Sequence, residues 1–163
     1  MNYLLENTFF QDCYNSLADC SIDDSDKNNI VKMINESFEY AGDQVINFDS
    51  VKTKLCGQFN KSNEVFKSAD CLIYNHNNGK YVIVEFKNGK VTKVKEKLKD
   101  SLHILNDVLG KNLDFCRSEC EYIVVYNYEK NRCYVNQEIK KEYKDGAIEE
   151  GYKEFFDTIF KLA

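Results

Sequence analysis

Asp70, Glu85 and Lys87 fall within one stretch, "SADCLIYNHNNGKYVIVEFKNGK", and the last two interrupt a run of apolar residues. Side chains alternate faces along a strand, so Glu85 and Lys87 share one face while Val84 and Phe86 take the other. Charges in a half-buried strand cost free energy unless they are paired or bound. If "DCLIY" and "YVIVEF" form a hairpin, Asp70 lies at the end away from the turn, close to Glu85 and Lys87. Two carboxylates alone repel each other, and a cation between them removes that penalty. Their hard oxygens suit Mg²⁺ or Mn²⁺, with the Phe86 carbonyl as a further ligand. Such a metal polarises a phosphoryl oxygen and lowers the pKa of a bound water. Lys87 is placed to orient or help deprotonate that water and to offset charge developing on the phosphate. The competing reading is a surface hairpin carrying ordinary cross-strand ion pairs.

The elements that must position these residues follow from periodicity and punctuation. Apolar spacing in "LENTFFQDCYNSLADC" predicts a helix near 4–19. After the polar break "SIDDSD", Asp26 can cap a second helix, about 27–41, with Ile30, Met33, Ile34, Phe38 and Ala41 in one stripe and Gly42 at its end. "QVINF" reads as a short strand, and the stretch from there to Lys67 reads ambiguously. Two strands, about 70–75 and 80–87, flank "NHNNG", whose Asn and Gly residues accept the positive φ of a tight turn. A helix over 91–109 carries Val91, Val94, Leu98, Leu102, Leu105 and Leu109 on one face, with Gly110 as its stop. "CEYIVVYNY" reads as a buried strand over 120–128. The tail, about 136–162, reads as mostly helical with a break at Gly146. This alternation predicts one α/β domain over residues 1–163, with a mixed central sheet flanked by helices on both faces.

At this point the sequence resembles the PD-(D/E)XK nuclease superfamily, of restriction-endonuclease-like fold. The resemblance rests on "AD" at 69–70, fourteen intervening residues, and then Glu85-Phe86-Lys87 within "VIVEFK". It covers a core of about 27–128, with a helix before the hairpin, a helix after it and a further strand. Ala69 stands where the motif has Pro. The resemblance implies that Asp70 and Glu85 bind the divalent metal and that Lys87 assists the water.

Two helices bear on the same site. At about 100° per residue, Lys97 and Ser101 fall inside the apolar arc of the 91–109 helix, whereas Lys95, Lys99 and His103 fall outside it. The resemblance gives this helix an auxiliary catalytic Lys or Gln, a role that Lys97 fits; a Lys snorkelling at the arc's edge is the alternative. It also gives the first core helix a further acidic ligand. Glu36, beside Met33 and Tyr40 on the stripe's flank, takes that role, ahead of Asp49; solvent exposure is its alternative. His76 in a turn and His103 on a polar face are not expected to be catalytic.

The remaining features narrow the class. The 163 residues include 43% apolar and 30% charged side chains, the profile of a soluble globular protein. The start lacks a basic region before its short apolar run, and no stretch approaches the roughly 18 apolar residues of a membrane span, so a cytoplasmic protein is expected. Seven scattered cysteines argue against a disulfide framework. Cys116, Cys120 and Cys133 match no common zinc spacing, although one early and three late cysteines can anchor an iron–sulfur cluster. Net charge is −5, yet residues 80–99 carry seven Lys against two Glu, a local +5. Lys90, Lys93 and Lys95 in that segment are candidates for tracking a phosphate backbone, against a merely solvated face. The leading expectation is a Mg²⁺- or Mn²⁺-dependent nuclease, with DNA favoured over RNA and with a homodimer or partner subunit supplying specificity. The alternatives are a non-catalytic binding or accessory module of the same fold, or an acidic protein-interaction or inhibitor domain.

Overall fold

A computed structural model describes residues 7–24, 26–75, 78–89, 94–126 and 146–148. They form a mixed α/β protein around a six-stranded sheet. The strands are β1 (Tyr14–Ser16), β4 (Gln44–Asn47), β5 (Cys71–Asn75), β6 (Lys80–Lys87), β7 (Cys120–Tyr126) and β8 (Gly146–Ile148), in that spatial order. β2 (Ile22–Asp23) and β3 (Val31–Lys32) make a separate antiparallel pair. The helices are α1 (Leu17–Cys20), α2 (Phe48–Gln58), α3 (Val94–Leu109) and α4 (Leu113–Glu119), preceded by a 3₁₀ turn at Thr8–Phe10. Among the described residues no helix is long and apolar enough to cross a membrane.

The hairpin forms where expected. β5 and β6 pair antiparallel from Cys71 opposite Val84 to Asn75 opposite Lys80. Gly79, at φ +71°, supplies the left-handed residue of the turn. α3 then carries the chain across the sheet, so that β7 pairs parallel to β6, with Glu85 opposite Val124.

The sheet is covered on both faces. On one, Leu72, Ile83 and Val124 pack with Phe48, Val51 and Leu55 of α2 and with Leu102 and Leu105 of α3. On the other, Val82, Val84, Phe86 and Val125 pack with Leu17 and Ala18 of α1 and with Ile34, Tyr40 and Ala41. Apolar residues occupy both faces of β6, which explains its near-continuous hydrophobic run.

Three expectations require correction. The described part of 4–19 is not one helix but a 3₁₀ turn, β1 and the start of α1 in succession. Phe10 and Cys13 join one core layer while Leu17, Ala18 and Cys20 join the other, because β1 carries the chain past the sheet edge between them. Residues 27–41 are likewise not a helix. Side chains at the start of this segment and within it bond to nearby backbone instead: Asp26, just before the segment, accepts from the Asn28 N–H, and Asn35 from the Ser37 N–H. Ile30, placed in the expected stripe, is exposed. In the tail, Gly146–Ile148 pair parallel with β7 as a strand, while the rest of the expected 136–162 helix, like His76, lies outside the described residues.

The ambiguous stretch after "QVINF" contains α2. The Asn47 side chain accepts the Ser50 N–H and caps its start. Asn60, at φ +52°, ends it, with Asn60 N–H bonded to Gly57 O and Lys61 N–H to Cys56 O. That bonding is a Schellman stop with Asn in the glycine position.

Candidate active site

Asp70 directly precedes β5, and its backbone is held on both sides. Its N–H donates to Val84 O of β6, and its carbonyl accepts the N–H of Phe48, the first residue of α2. Its carboxylate, largely buried, accepts the Phe86 N–H through Oδ2 at 2.5 Å. A strand residue directs its N–H and C=O to the same side. The Phe86 carbonyl therefore leaves β6 on the side where Asp70 lies.

α3 grips the segment that delivers Asp70. The Lys67 N–H donates to Asp100 Oδ2 at 2.9 Å, and the Ala69 N–H to Ser101 Oγ at 2.9 Å. Lys97, one turn earlier on the same helix face, reaches the carboxylates themselves. Its Nζ lies 2.7 Å from Glu85 Oε1 and 3.8 Å from Asp70 Oδ1. Lys87 Nζ lies 3.1 Å from the same Glu85 oxygen. Asp70, Glu85, Lys87 and Lys97 thus meet at one end of the central sheet. Lys97 inside the apolar arc is explained by these two acidic partners, and Ser101 by its bond to Ala69.

The electrostatics are tight. Glu85 is fully buried, and among the described residues its Oε2 has no hydrogen-bond partner. Burial, and then the Glu85 charge, push the Asp70 carboxyl well above its ordinary range, against the opposing pull of Lys97, the Phe86 N–H and Lys87. Burial works against the Lys97 ammonium, but Glu85 and Asp70 outweigh it and hold its pKa above the ordinary value. Behind the site, burial above all pushes the Cys20 thiol up to about 12, and burial likewise raises Cys71. Cys13, Cys20, Cys56 and Cys71 are buried thiols outside any disulfide. β2 supports the exit of β6: the buried Asp23 carboxylate accepts the N–H groups of Asn88 and Gly89, just past Lys87.

The donor set fits a hard divalent cation. Two adjacent carboxylates, an orphaned buried oxygen on one of them and a carbonyl on the same side are the ligand types that Mg²⁺ and Mn²⁺ take. Among the described residues no group of three or more His, Cys, Asp and Glu side chains is arranged to hold a metal. The remaining ligands would then be water and substrate oxygens, which Mg²⁺ commonly retains.

Glu36 does not join the site. With residues 27–41 forming turns and the short strand β3 rather than a helix, its side chain is 73% exposed and pairs with Lys32, which also binds Asp19. The additional carboxylate bordering the site is Asp49, in the first turn of α2. It accepts the Ser68 hydroxyl and pairs with Lys52 at 2.9 Å, and its charge helps to raise Lys97. The signal that could have ranked it higher was its place two residues after the helix-capping Asn47. Lys95 lies exposed on α3, while Lys90 and Lys93 lie outside the described residues. No family model, curated protein or solved structure matches the chain.

Proposed function

We propose that this chain is a divalent-metal-dependent nuclease of the PD-(D/E)XK, restriction-endonuclease-like kind, hydrolysing phosphodiester bonds of nucleic acid, with DNA favoured over RNA. The observation that carries this reading is the meeting of Asp70, Glu85, Lys87 and Lys97 around a buried Glu85 oxygen that no donor among the described residues satisfies. The strand order supports it as well. An antiparallel run β4–β5–β6, then α3, then β7 parallel to β6, follows the order expected of that fold.

Asp70 and Glu85 would hold Mg²⁺ or Mn²⁺, with the Phe86 carbonyl as a further donor. When bound, such an ion would supply Lewis-acid charge for a phosphoryl oxygen and acidify a water. Lys87 orients that water and donates to the phosphate oxygens as their charge grows. The packed layers on both faces of β6 exclude bulk solvent from behind the carboxylates, which strengthens these electrostatic effects. Lys95, together with Lys90 and Lys93, is assigned to the phosphate backbone.

One observation favours a second reading. Glu85 Oε1 already has two lysine partners, as in a self-contained ion-pair network. The chain would then be a non-catalytic accessory module of the same fold.

The test separates metal binding from turnover. Mn²⁺ affinity is measured by calorimetry, alongside cleavage of a labelled plasmid and of single-stranded oligonucleotides. Lys87→Ala should keep Mn²⁺ binding and lose about 10²-fold or more in turnover, the scale of a positioned acid–base or electrostatic group. Asp70→Asn should lose both. Cleavage by Lys87→Ala at the wild-type rate refutes the role of Lys87. A wild-type protein that cuts nothing supports the accessory module.

A further inference from the structure

Glu85 Oε1 and Asp70 Oδ1 both face one atom, the Lys97 Nζ, which lies 2.7 Å and 3.8 Å from them. The second Asp70 oxygen is taken by the Phe86 N–H, and the second Glu85 oxygen is buried without a partner among the described residues. An ion shared by the two carboxylates through their facing oxygens therefore has to occupy the region that Nζ occupies. A divalent ion placed there would fall on the Lys97 ammonium, which lies between the two facing oxygens, whereas Lys87 approaches Glu85 alone, so the repulsion bears most on Lys97.

We propose that Lys97 is a resident counter-ion that stands in the divalent metal's place between Asp70 and Glu85, and that metal binding displaces its ammonium group. The inference rests on the nuclease reading for the identity of the incoming ion, but it concerns binding and not turnover. Lys97 has the means to leave. Its side chain is 22% exposed and starts from the first turns of α3, so rotation about its four-carbon stem carries Nζ towards solvent without unfolding the helix. Lys87 remains on Glu85 Oε1, so the carboxylate keeps one protein partner during the exchange. Lys97 thus has two effects on the protein. It holds two like charges together when metal is scarce, and it weakens metal affinity by competing for the same oxygens.

The experiment compares wild type with Lys97→Met and Lys97→Gln, all stripped with EDTA. Each variant should melt below wild type, because Asp70 and Glu85 have lost a shared partner. Each should bind Mn²⁺ at least tenfold more tightly by calorimetry, so that Mn²⁺ raises its Tm by more than it raises that of wild type. Affinity equal to or weaker than wild type overturns the proposal. Wild-type protein gives a test that needs no variant to fold: reductive methylation followed by mass spectrometry. Lys97 should be slow to react in EDTA and several-fold faster at saturating Mg²⁺. Protection unchanged by Mg²⁺, or no Mn²⁺ or Mg²⁺ binding by any of the proteins, also overturns it. Failure of the nuclease reading is distinguishable. A protein that binds Mn²⁺ and releases Lys97 but cuts no nucleic acid retains the counter-ion exchange and loses the enzymatic activity.

Discussion

Ser101→Ala should destabilise the protein and loosen the site at once. Ser101 Oγ accepts the Ala69 N–H at 2.9 Å, and both residues are 0% exposed. Removing the hydroxyl leaves a buried N–H without this acceptor, a loss of about 1–3 kcal/mol. Full burial keeps water from replacing it, which places the effect in the upper half, about 2–3 kcal/mol. In a chain of this length each kcal/mol moves Tm by about 2–4 °C, so a fall of about 4–12 °C is expected. The assay is thermal melting by circular dichroism. Ser118→Ala serves as the control: Ser118 is exposed on α4 and bonds Phe115 O, and its loss should fall within about 0.5 kcal/mol of wild type. Because Ala69 precedes Asp70, Ser101→Ala should also weaken Mn²⁺ binding, which Ser118→Ala should not. A Ser101→Ala melt indistinguishable from that of Ser118→Ala would refute the clip between α3 and the strand entry.

Asp70 also predicts a pH dependence. Its carboxyl is raised in the folded state, so the folded chain holds this proton more tightly than the unfolded chain does. Its contribution to stability is fully present below the ordinary carboxylate value near 4, and is lost as pH rises through the folded-state value. The Tm difference between Asp70→Asn and wild type, measured in EDTA, should therefore shift in favour of the Asn variant across that window; a constant difference would contradict the assignment. Cys20, pushed up to about 12 by burial, should resist alkylation at pH 8 until urea unfolds the chain. Labelling of Cys20 in folded protein at the rate seen in urea, read by mass spectrometry, would contradict its burial.

The hairpin and the crossover helix were legible because each carries redundant signals. β5 and β6 have apolar runs bounded by Asn and Gly, and α3 has Leu at helical spacing closed by Gly110, whose φ is +60°. Lys97 inside the apolar arc marked the site, because a charge on a core-facing stripe needs a partner, and Glu85 and Asp70 supply it. The segment 27–41 misled because its stripe has helical spacing while Asp26 just before it and Asn35 and Ser37 within it hold turns. Local side-chain bonding won over periodicity there, and Glu36 was misplaced with it. α2 was missed for a related reason. Its first turn opens on Asn and its last closes on Asn, and both read as loop residues until their capping bonds are seen. The pairing of β1 with β4 depends on long-range register, which local spacing does not encode.

The most direct test of the central claim is cleavage of a labelled plasmid by wild type and Glu85→Gln, each in Mn²⁺ and in EDTA, with circular dichroism confirming that the variant folds. Glu85 is the fully buried carboxylate on which both lysines converge, so loss of its charge removes one metal ligand and the lysines' common partner. Nicked or linear product is expected only from wild type in Mn²⁺. Cleavage that persists in EDTA, or that a folded Glu85→Gln protein performs at the wild-type rate, would contradict it.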